Sequence, residues 1–104
     1  MRAAVSALPV ADPVADYIVD LVRATRTHAA IQFGASPRAS SMLTLASRAV
    51  AALQGRDYVI PDDVKALALP ALRHRLVLAP GSEIEGITTE DVVRQVLESI
   101  PAPR

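Results

Sequence analysis

The stretch DPVADYIVDLVRATRTH, residues 12–28, decides the fold class. Asp12 followed by Pro13 is typical of a helix start, since proline is tolerated in the first helical turn. The apolar residues that follow recur at i, i+3, i+4, i+7 and i+8, which is the spacing of one buried helix face. We therefore predict an amphipathic helix that ends near His28 and buries Val14, Tyr17, Ile18, Leu21 and Val22.

The composition favours a helical core. Hydrophobic residues make up 51% of the 104 residues, but aromatic residues make up only 3%. The core must then consist mainly of Ala, Val, Leu and Ile, and this length suits one domain. We predict an all-α fold, a small bundle of four to five helices with a possible very short two-stranded pairing.

Charge and cysteine content exclude several classes of function. The 11 basic and 11 acidic residues give a formal net charge of +0, whereas proteins that bind duplex DNA usually carry a clustered basic excess. The chain has no cysteine and therefore no disulfide or thiolate metal site, which suits a cytoplasmic protein. His28 and His74 lack the HExxH spacing, so we expect no metal site. The balanced charge argues against a nucleic-acid partner, and the apolar runs are too short to span a bilayer, so we expect no membrane insertion.

A second helix is expected after GASPRAS, residues 34–40. Ser36 followed by Pro37 repeats the helix-start signal, with Ser36 as the expected N-terminal cap, and Gly55 provides an end. An alanine-rich sequence makes this helix slim, so a neighbouring helix can approach closely. Its predicted buried stripe consists of Met42, Ala46, Ala49, Val50 and Leu53.

Two later stretches resemble one another: YVIPDDV, residues 58–64, and GITTEDV, residues 86–92. Each runs from a short extended segment into an acidic helix start, and the two extended segments are the candidates for a strand pair. In the second stretch, Thr88 and Asp91 have near capping-box spacing, with Asp in place of the usual Glu or Gln. We expect a helix after the first stretch, a break at Pro70 with a further helix through Leu72 and Leu76, and a last helix after the second stretch. APGSEIEG, residues 79–86, is expected to be a loop.

Arg38 is the residue whose position calls for a ligand. It lies about one residue into the second helix, where free backbone N–H groups and the helix dipole already attract anions. A guanidinium binds phosphate through two parallel hydrogen bonds, so Arg38 is a candidate phosphate-binding residue. The alternative, which spacing alone favours, is an ion pair with a surface carboxylate such as Glu83 or Glu85.

Two further motifs do not describe sites. Gly81 and Gly86 have the spacing of the two P-loop glycines, but Ile87 stands in place of the motif's lysine, and Glu83 and Glu85 between the glycines would repel phosphate. GASPR differs from the G-x-S-x-G nucleophile motif because Arg38 replaces the second glycine. No complete nucleotide-hydrolysing site can therefore be assembled from this chain alone.

Several uncommon sequence motifs occur in order along the chain: TRTHAAIQFGASPRAS, GRDYV, PDDV and HRL. In this order they resemble the C-terminal helical lid of MoxR-type AAA+ ATPases, over nearly the whole chain. The resemblance implies that residues 1–11 are a linker from an upstream ATPase core and that residues 12–104 are the lid domain. It also implies a separate α/β core that carries the phosphate loop and binds most of the ATP and Mg.

The resemblance assigns a role to the arginine after GASP. Arg38 would be the second sensor, which reaches the γ-phosphate of ATP, with Gly34, Ser36 and Pro37 beside it in the nucleotide-binding segment. Arg56 in GRD and Arg75 in HRL match sequence motifs of the family, and we expect them to serve packing or subunit contact.

The resemblance also implies partners and an activity for the parent protein. These are its own ATPase core, neighbouring subunits of a ring oligomer, and possible partner proteins with a von Willebrand factor A domain. ATP hydrolysis would drive chaperone-like maturation of client complexes, while the fragment alone would bind ATP weakly and would not be catalytic. The alternative function is a free-standing helical interaction module that binds a partner on the alanine-rich face of Met42–Leu53.

Overall fold

A computed structural model describes residues 8–103, which form five α-helices and one pair of short strands. The prediction of a small all-α bundle with a minimal strand pair is confirmed. Within the described residues, no helix combines the length and the hydropathy needed to cross a bilayer. In chain order the elements are α1 (Asp12–Thr27), β1 (Ile31–Phe33), α2 (Arg38–Leu53), α3 (Pro61–Leu72), β2 (Val77–Leu78), α4 (Pro80–Ile84) and α5 (Thr89–Ser99).

The core lies between the four longer helices. α2 packs mainly against α3, α1 packs against α2 and α5, and α5 also contacts α3. The core is aliphatic, as the composition indicated, and burial of these side chains supplies most of the driving force for folding. The largest fully buried apolar side chains are Ile18, Leu21, Val22, Leu43, Val64, Leu72, Val92 and Val93.

The first helix forms with the predicted end and the predicted buried face. It ends at Thr27, with His28 in the cap position, and all five residues of its predicted stripe are buried. The start differs by one residue, because Ala11 occupies the N-cap position and no side chain caps the helix. Asp12 is instead the first helical residue, where its carboxylate still offsets the helix dipole.

The buried face of α2 differs from the predicted stripe. Met42 and Leu53 are exposed, with relative exposures of 42% and 88%. Apolar residues lie all round this helix, so hydrophobicity alone does not select a face, whereas close contact with α1 and α3 favours small side chains. The residues that are buried lie four apart: Ala39, Leu43, Ser47 and Ala51. The predicted end is confirmed, because Gly55 follows the helix with φ +76°.

The break predicted at Pro70 is wrong, since α3 continues through it to Leu72. A proline inside a helix removes one hydrogen bond, to the carbonyl of the residue four positions earlier. Because α3 ends only two residues later, little helix depends on that bond, and Leu72 is buried with 1% relative exposure. Leu76 is also buried, but it lies beyond the helix, before β2.

The strand pair forms from other segments than the predicted ones. Ile31 pairs with Leu78 and Phe33 pairs with Val77, antiparallel. The extended segments at residues 58–60 and 86–88 instead lead into α3 and α5, where the Asp63 carboxylate accepts a hydrogen bond from the Ile60 N–H at 2.9 Å. The backbone N–H groups of Ile60 and Thr88 therefore take part in helix capping rather than in hydrogen bonds between strands.

The segment predicted as a loop, APGSEIEG, contains the short helix α4. Pro80 lies in its first turn, where proline is favoured, and Gly86 follows the helix with φ +84°. The capping box predicted before the last helix is confirmed: the Asp91 N–H donates to the Thr88 hydroxyl at 3.1 Å, and the Thr88 N–H donates to the Asp91 carboxylate at 3.0 Å.

The segment before α1 lies on the domain where the structure describes it. The Arg48 Nε–H donates to the Leu8 carbonyl at 3.0 Å, and the Val59 N–H donates to the Pro9 carbonyl at 3.3 Å. Leu8 and Val10 pack against the core with partial burial. For residues 1–7, the predicted linker lies outside the described residues.

Candidate functional site

The segment that leads into α2 is held against the end of α1 by a close backbone approach. A β-carbon added to Gly34 would lie 2.6 Å from the backbone N and Cα atoms of Arg26. No other residue fits there without moving the backbone, because real β-carbon contacts are not that short. Gly34 thus has a structural reason for its place beside the predicted nucleotide-binding residues.

Hydrogen bonds from α1 fix the next residue, Ala35, which is fully buried. The Ala35 N–H donates to the Thr25 hydroxyl at 3.1 Å, and that hydroxyl donates to the Val22 carbonyl at 2.6 Å. The Arg26 Nε–H donates to the Ala35 carbonyl at 3.0 Å. Both backbone groups of Ala35 are therefore satisfied, and the chain is positioned three residues before Arg38.

The start of α2 differs from the predicted cap. Pro37 occupies the N-cap position, and no side chain caps the helix. The Ser36 carbonyl, rather than its hydroxyl, accepts the Ala39 N–H at 2.9 Å, so Ser36 as a side-chain cap is wrong. Arg38 is the first residue of the helix, as its place in the sequence indicated.

The Arg38 side chain is exposed. Among residues 8–103, it forms no ion pair and no hydrogen bond, so the alternative of a salt bridge to Glu83 or Glu85 is not realised. A cation at the N-terminus of a helix is unfavourable without an anion, and within the described residues the chain supplies none. The guanidinium is therefore available to bind an anion.

Arg38 lies on a shallow cavity of about 410 Å³ at the start of α2. Of the four predicted site residues, three line this cavity and Pro37 does not. No carboxylate is among the lining residues, so the cavity is cationic. The lining residues are Gly34, Ser36, Arg38, Ala39, Met42 and Arg75.

Arg75 is the cavity residue whose place our sequence analysis missed, since we expected it to serve packing or subunit contact. It lies in the turn after α3, where its N–H donates to the Leu72 carbonyl at 2.9 Å. Its Nη2 lies 2.9 Å from the Sδ atom of Met42, one helical turn beyond Arg38. The HRL motif drew attention to Arg75 in the sequence, but only the folded chain shows that Arg75 lies against α2.

Arg56, in contrast, forms an ion pair with Asp63 inside the domain. Its two terminal nitrogens donate to the two carboxylate oxygens of Asp63 at 2.7 and 2.5 Å. The hydrogen bonds from Arg56 hold the pKa of Asp63 below its ordinary value of 3.8. Asp63 is buried, so this pair is part of the packing of α3 against the segment before it, as expected for Arg56.

The two histidines have different surroundings. The Nδ1 atom of His28 accepts the Ala30 N–H at 3.0 Å, and its Nε2 atom lies 2.7 Å from Oε1 of Gln95. This pattern fits the tautomer that carries its proton on Nε2, so the ring links the turn before β1 to α5. His74 is exposed on the turn after α3.

Comparisons with known proteins identify the family of this chain. Residues 23–96 match the family model described as the AAA lid domain. Uncharacterized protein YeaC of Bacillus subtilis is 45% identical over 92 residues, which cover 88% of this chain and 29% of that protein. Chaperone MoxR1 of Mycobacterium tuberculosis is 41% identical over 98 residues, which cover 86% of this chain and 26% of that protein.

A solved structure shares the whole fold. It is a crystal structure of a protein from Cytophaga hutchinsonii described as a candidate ATPase, with a TM-score of 0.93 and 32% identity. The match covers 98% of this chain and 34% of that one, so the chain spans about a third or less of the proteins it resembles. The family match, the relatives and the shared fold together show that the chain belongs to the AAA lid domain family and is of the MoxR type.

Proposed function

We propose that this chain is the lid of an ATP-hydrolysing MoxR-like protein and that it closes over ATP bound to a separate α/β core. The observation that carries the proposal is that the Arg38 guanidinium is exposed at the start of α2 without an ion-pair partner among the described residues. The role of Arg38 would be that of the second sensor at the γ-phosphate.

The cavity fits a phosphate chain better than a metal ion. Its charged lining residues are two arginines, which suit phosphate oxygens, whereas Mg requires oxygen ligands such as carboxylates. We propose that Mg is held by the core and that the lid provides one wall of the site. The isolated chain is then expected to bind ATP weakly and not to hydrolyse it.

ATP, when bound, would supply the phosphoryl group that is transferred to water. The residues of this chain would bind and orient it: Arg38 would donate hydrogen bonds to phosphate oxygens, and the first turn of α2 would add its free N–H groups. The bonds between Ala35 and α1 would keep Arg38 in place, so that the lid moves as one body.

The wider function is also a proposal. We propose that the complete protein assembles into rings, as AAA+ proteins do, is cytoplasmic, and acts in chaperone-like maturation of client complexes. The name of the mycobacterial relative, Chaperone MoxR1, supports this direction. A partner with a von Willebrand factor A domain belongs to the same proposal and rests on the resemblance of the sequence alone.

The test is ATP turnover by the complete protein with Arg38→Ala. We expect kcat to fall by about tenfold or more, because a charge-assisted hydrogen bond to the reacting phosphate is lost. Arg23→Ala is the matched control, because Arg23 is an exposed arginine on α1 that does not line the cavity. Unchanged turnover in the Arg38 variant, with the fold intact, would refute the sensor role.

The alternative of a free-standing interaction module is less well supported. It requires the alanine-rich face of α2 to be open to a partner, but Ala39 and Ala51 are buried within the domain. Of the other alanines, Ala46 and Ala49 are half-buried and Ala52 is exposed. The buried alanines are therefore already used for packing against the neighbouring helices, and only part of the face is open to a partner.

A further inference from the structure

Two arginines from distant parts of the sequence meet at the cavity. Arg38 begins α2, and Arg75 follows α3, 37 positions later. Arg38 and Met42 lie four residues apart and so share one face of α2, and the Arg75 guanidinium contacts the sulfur of Met42. The Arg75 guanidinium therefore contacts the same face of α2 that carries Arg38.

The backbone around Arg75 is well anchored, although its side chain is exposed. Leu72 and Leu76 on either side are buried, with relative exposures of 1% and 7%, and the Arg75 N–H is bonded to the Leu72 carbonyl. The point from which the Arg75 side chain extends is therefore fixed by the packing of its two neighbours, and the contact with Met42 places its guanidinium at the cavity.

The hydrogen bonding of Arg75 is far from complete. A guanidinium has five N–H donors, and the contact to Met42 uses one of them on a thioether, which is a weak acceptor. Among residues 8–103, Arg75 has no ion pair with any carboxylate. Arg73, two positions away, has a long contact of 3.9 Å to Glu90 and does not line the cavity.

We infer that Arg75 is a second anion ligand of this cavity and that it binds the same polyphosphate chain as Arg38. The inference rests on the proposed function and extends it by one residue. Two like charges facing one cavity repel each other, and an anion between them removes that repulsion. A chain of phosphate groups is extended and carries several charges, so it can engage both guanidinium groups at once.

The experiment is an NMR titration of the ¹⁵N-labelled chain with inorganic tripolyphosphate at constant ionic strength, followed at the arginine Nε–H signals. Constant ionic strength separates specific binding from screening. We expect saturable shifts at Arg38 and Arg75 in the unchanged chain. Arg75→Ala should weaken binding by about tenfold, Arg75→Lys by less, and the matched control Arg73→Ala by under about twofold.

The outcomes separate the two proposals. If Arg75→Ala binds as well as Arg73→Ala while Arg38→Ala loses binding, Arg75 is not a ligand and the role of Arg38 stands. If Arg75→Ala weakens binding and Arg38→Ala does not, the two arginines do not share one anion and the proposal of a common polyphosphate chain is overturned, while the sensor role of Arg38 is still decided by turnover of the complete protein. If the unchanged chain shows no saturable shift, the Arg75 proposal is overturned, and Arg38 is decided by turnover of the complete protein.

Discussion

Arg56 and Asp63 form a two-pronged ion pair, with both terminal guanidinium nitrogens donating to both carboxylate oxygens. The Asp63 side chain is nearly buried at 3% exposure, whereas that of Arg56 is 23% exposed. The same carboxylate accepts the Ile60 N–H, so one side chain joins the preceding turn to the start of α3. The ion pair gives Arg56 of the GRDYV motif and Asp63 of the PDDV motif a structural role, so neither residue needs a catalytic one.

Asp63→Ala should lower the free energy of unfolding by about 2 to 3 kcal/mol, because three hydrogen bonds to a buried charge are lost together. Asp62→Ala is the matched control, since Asp62 is exposed one position earlier in the same helical turn. Urea unfolding of both variants measures the difference. Equal stabilities of the two variants would contradict the structural role of the pair.

Stability should decrease in acid because of two carboxylates with lowered pKa values. The Arg56 hydrogen bonds lower the pKa of Asp63, and hydrogen bonds from Thr88, first from its backbone N–H, lower the pKa of Asp91. A lowered pKa in the folded state means that the stabilisation is fully present above the ordinary pKa of 3.8 and is lost as the pH falls from there through the lower folded-state pKa.

The measurement for this prediction is urea unfolding at about pH 7, 5, 4 and 3. The unchanged chain should lose stability mainly below about pH 4, and Asp63→Asn should show a smaller loss over the same range, because it has no carboxylate to protonate. If the Asn variant has the same pH dependence as the unchanged chain, Asp63 is not a source of the acid sensitivity.

Gly34→Ala should destabilise the domain by about 1 to 3 kcal/mol, the usual cost of overpacking. The added methyl group would lie 2.6 Å from backbone atoms of Arg26, and a helix backbone cannot yield as a flexible side chain does. Gly81→Ala is the control, because a β-carbon there meets no atom within 4 Å. Thermal unfolding that shows no difference between the two variants would contradict the close approach.

Thr25→Val should cost about 1 to 3 kcal/mol, because it leaves the buried Ala35 N–H without its acceptor while keeping the shape of the side chain. Thr27→Val is the control: the Thr27 hydroxyl also bonds a carbonyl of its own helix, at 3.3 Å, but it is exposed. Hydrogen exchange of the Ala35 amide reports the local effect. An amide that stays equally protected in both variants would rule out the Thr25 bond.

Ser47→Ala should stabilise the domain by about 1 kcal/mol. The Ser47 hydroxyl is buried without a hydrogen-bond partner among the described residues, and alanine is also the better helix former. Ser41→Ala, at an exposed position of the same helix, is expected to show the gain in helix propensity alone. A gain at Ser47 no larger than that at Ser41 would show that the buried hydroxyl carries no cost.

The sequence by itself determined the elements whose signals are local. The stripe of α1, the capping box at Thr88 and Asp91, and the helix end at Gly55 depend on residues within a few positions of each other, so they can be predicted from spacing. The position of Arg38 at the start of α2 is of the same kind.

Tertiary structure decided what depends on contacts between distant segments. Which face of α2 is buried was set by the neighbouring helices, which accept Ser47 and exclude Met42. Which strands pair, Ile31–Phe33 with Val77–Leu78, was likewise set by packing, because two- and three-residue strands carry no periodic signal of their own. The meeting of Arg38 and Arg75 at one cavity belongs here too, because it depends on the docking of α3 against α2.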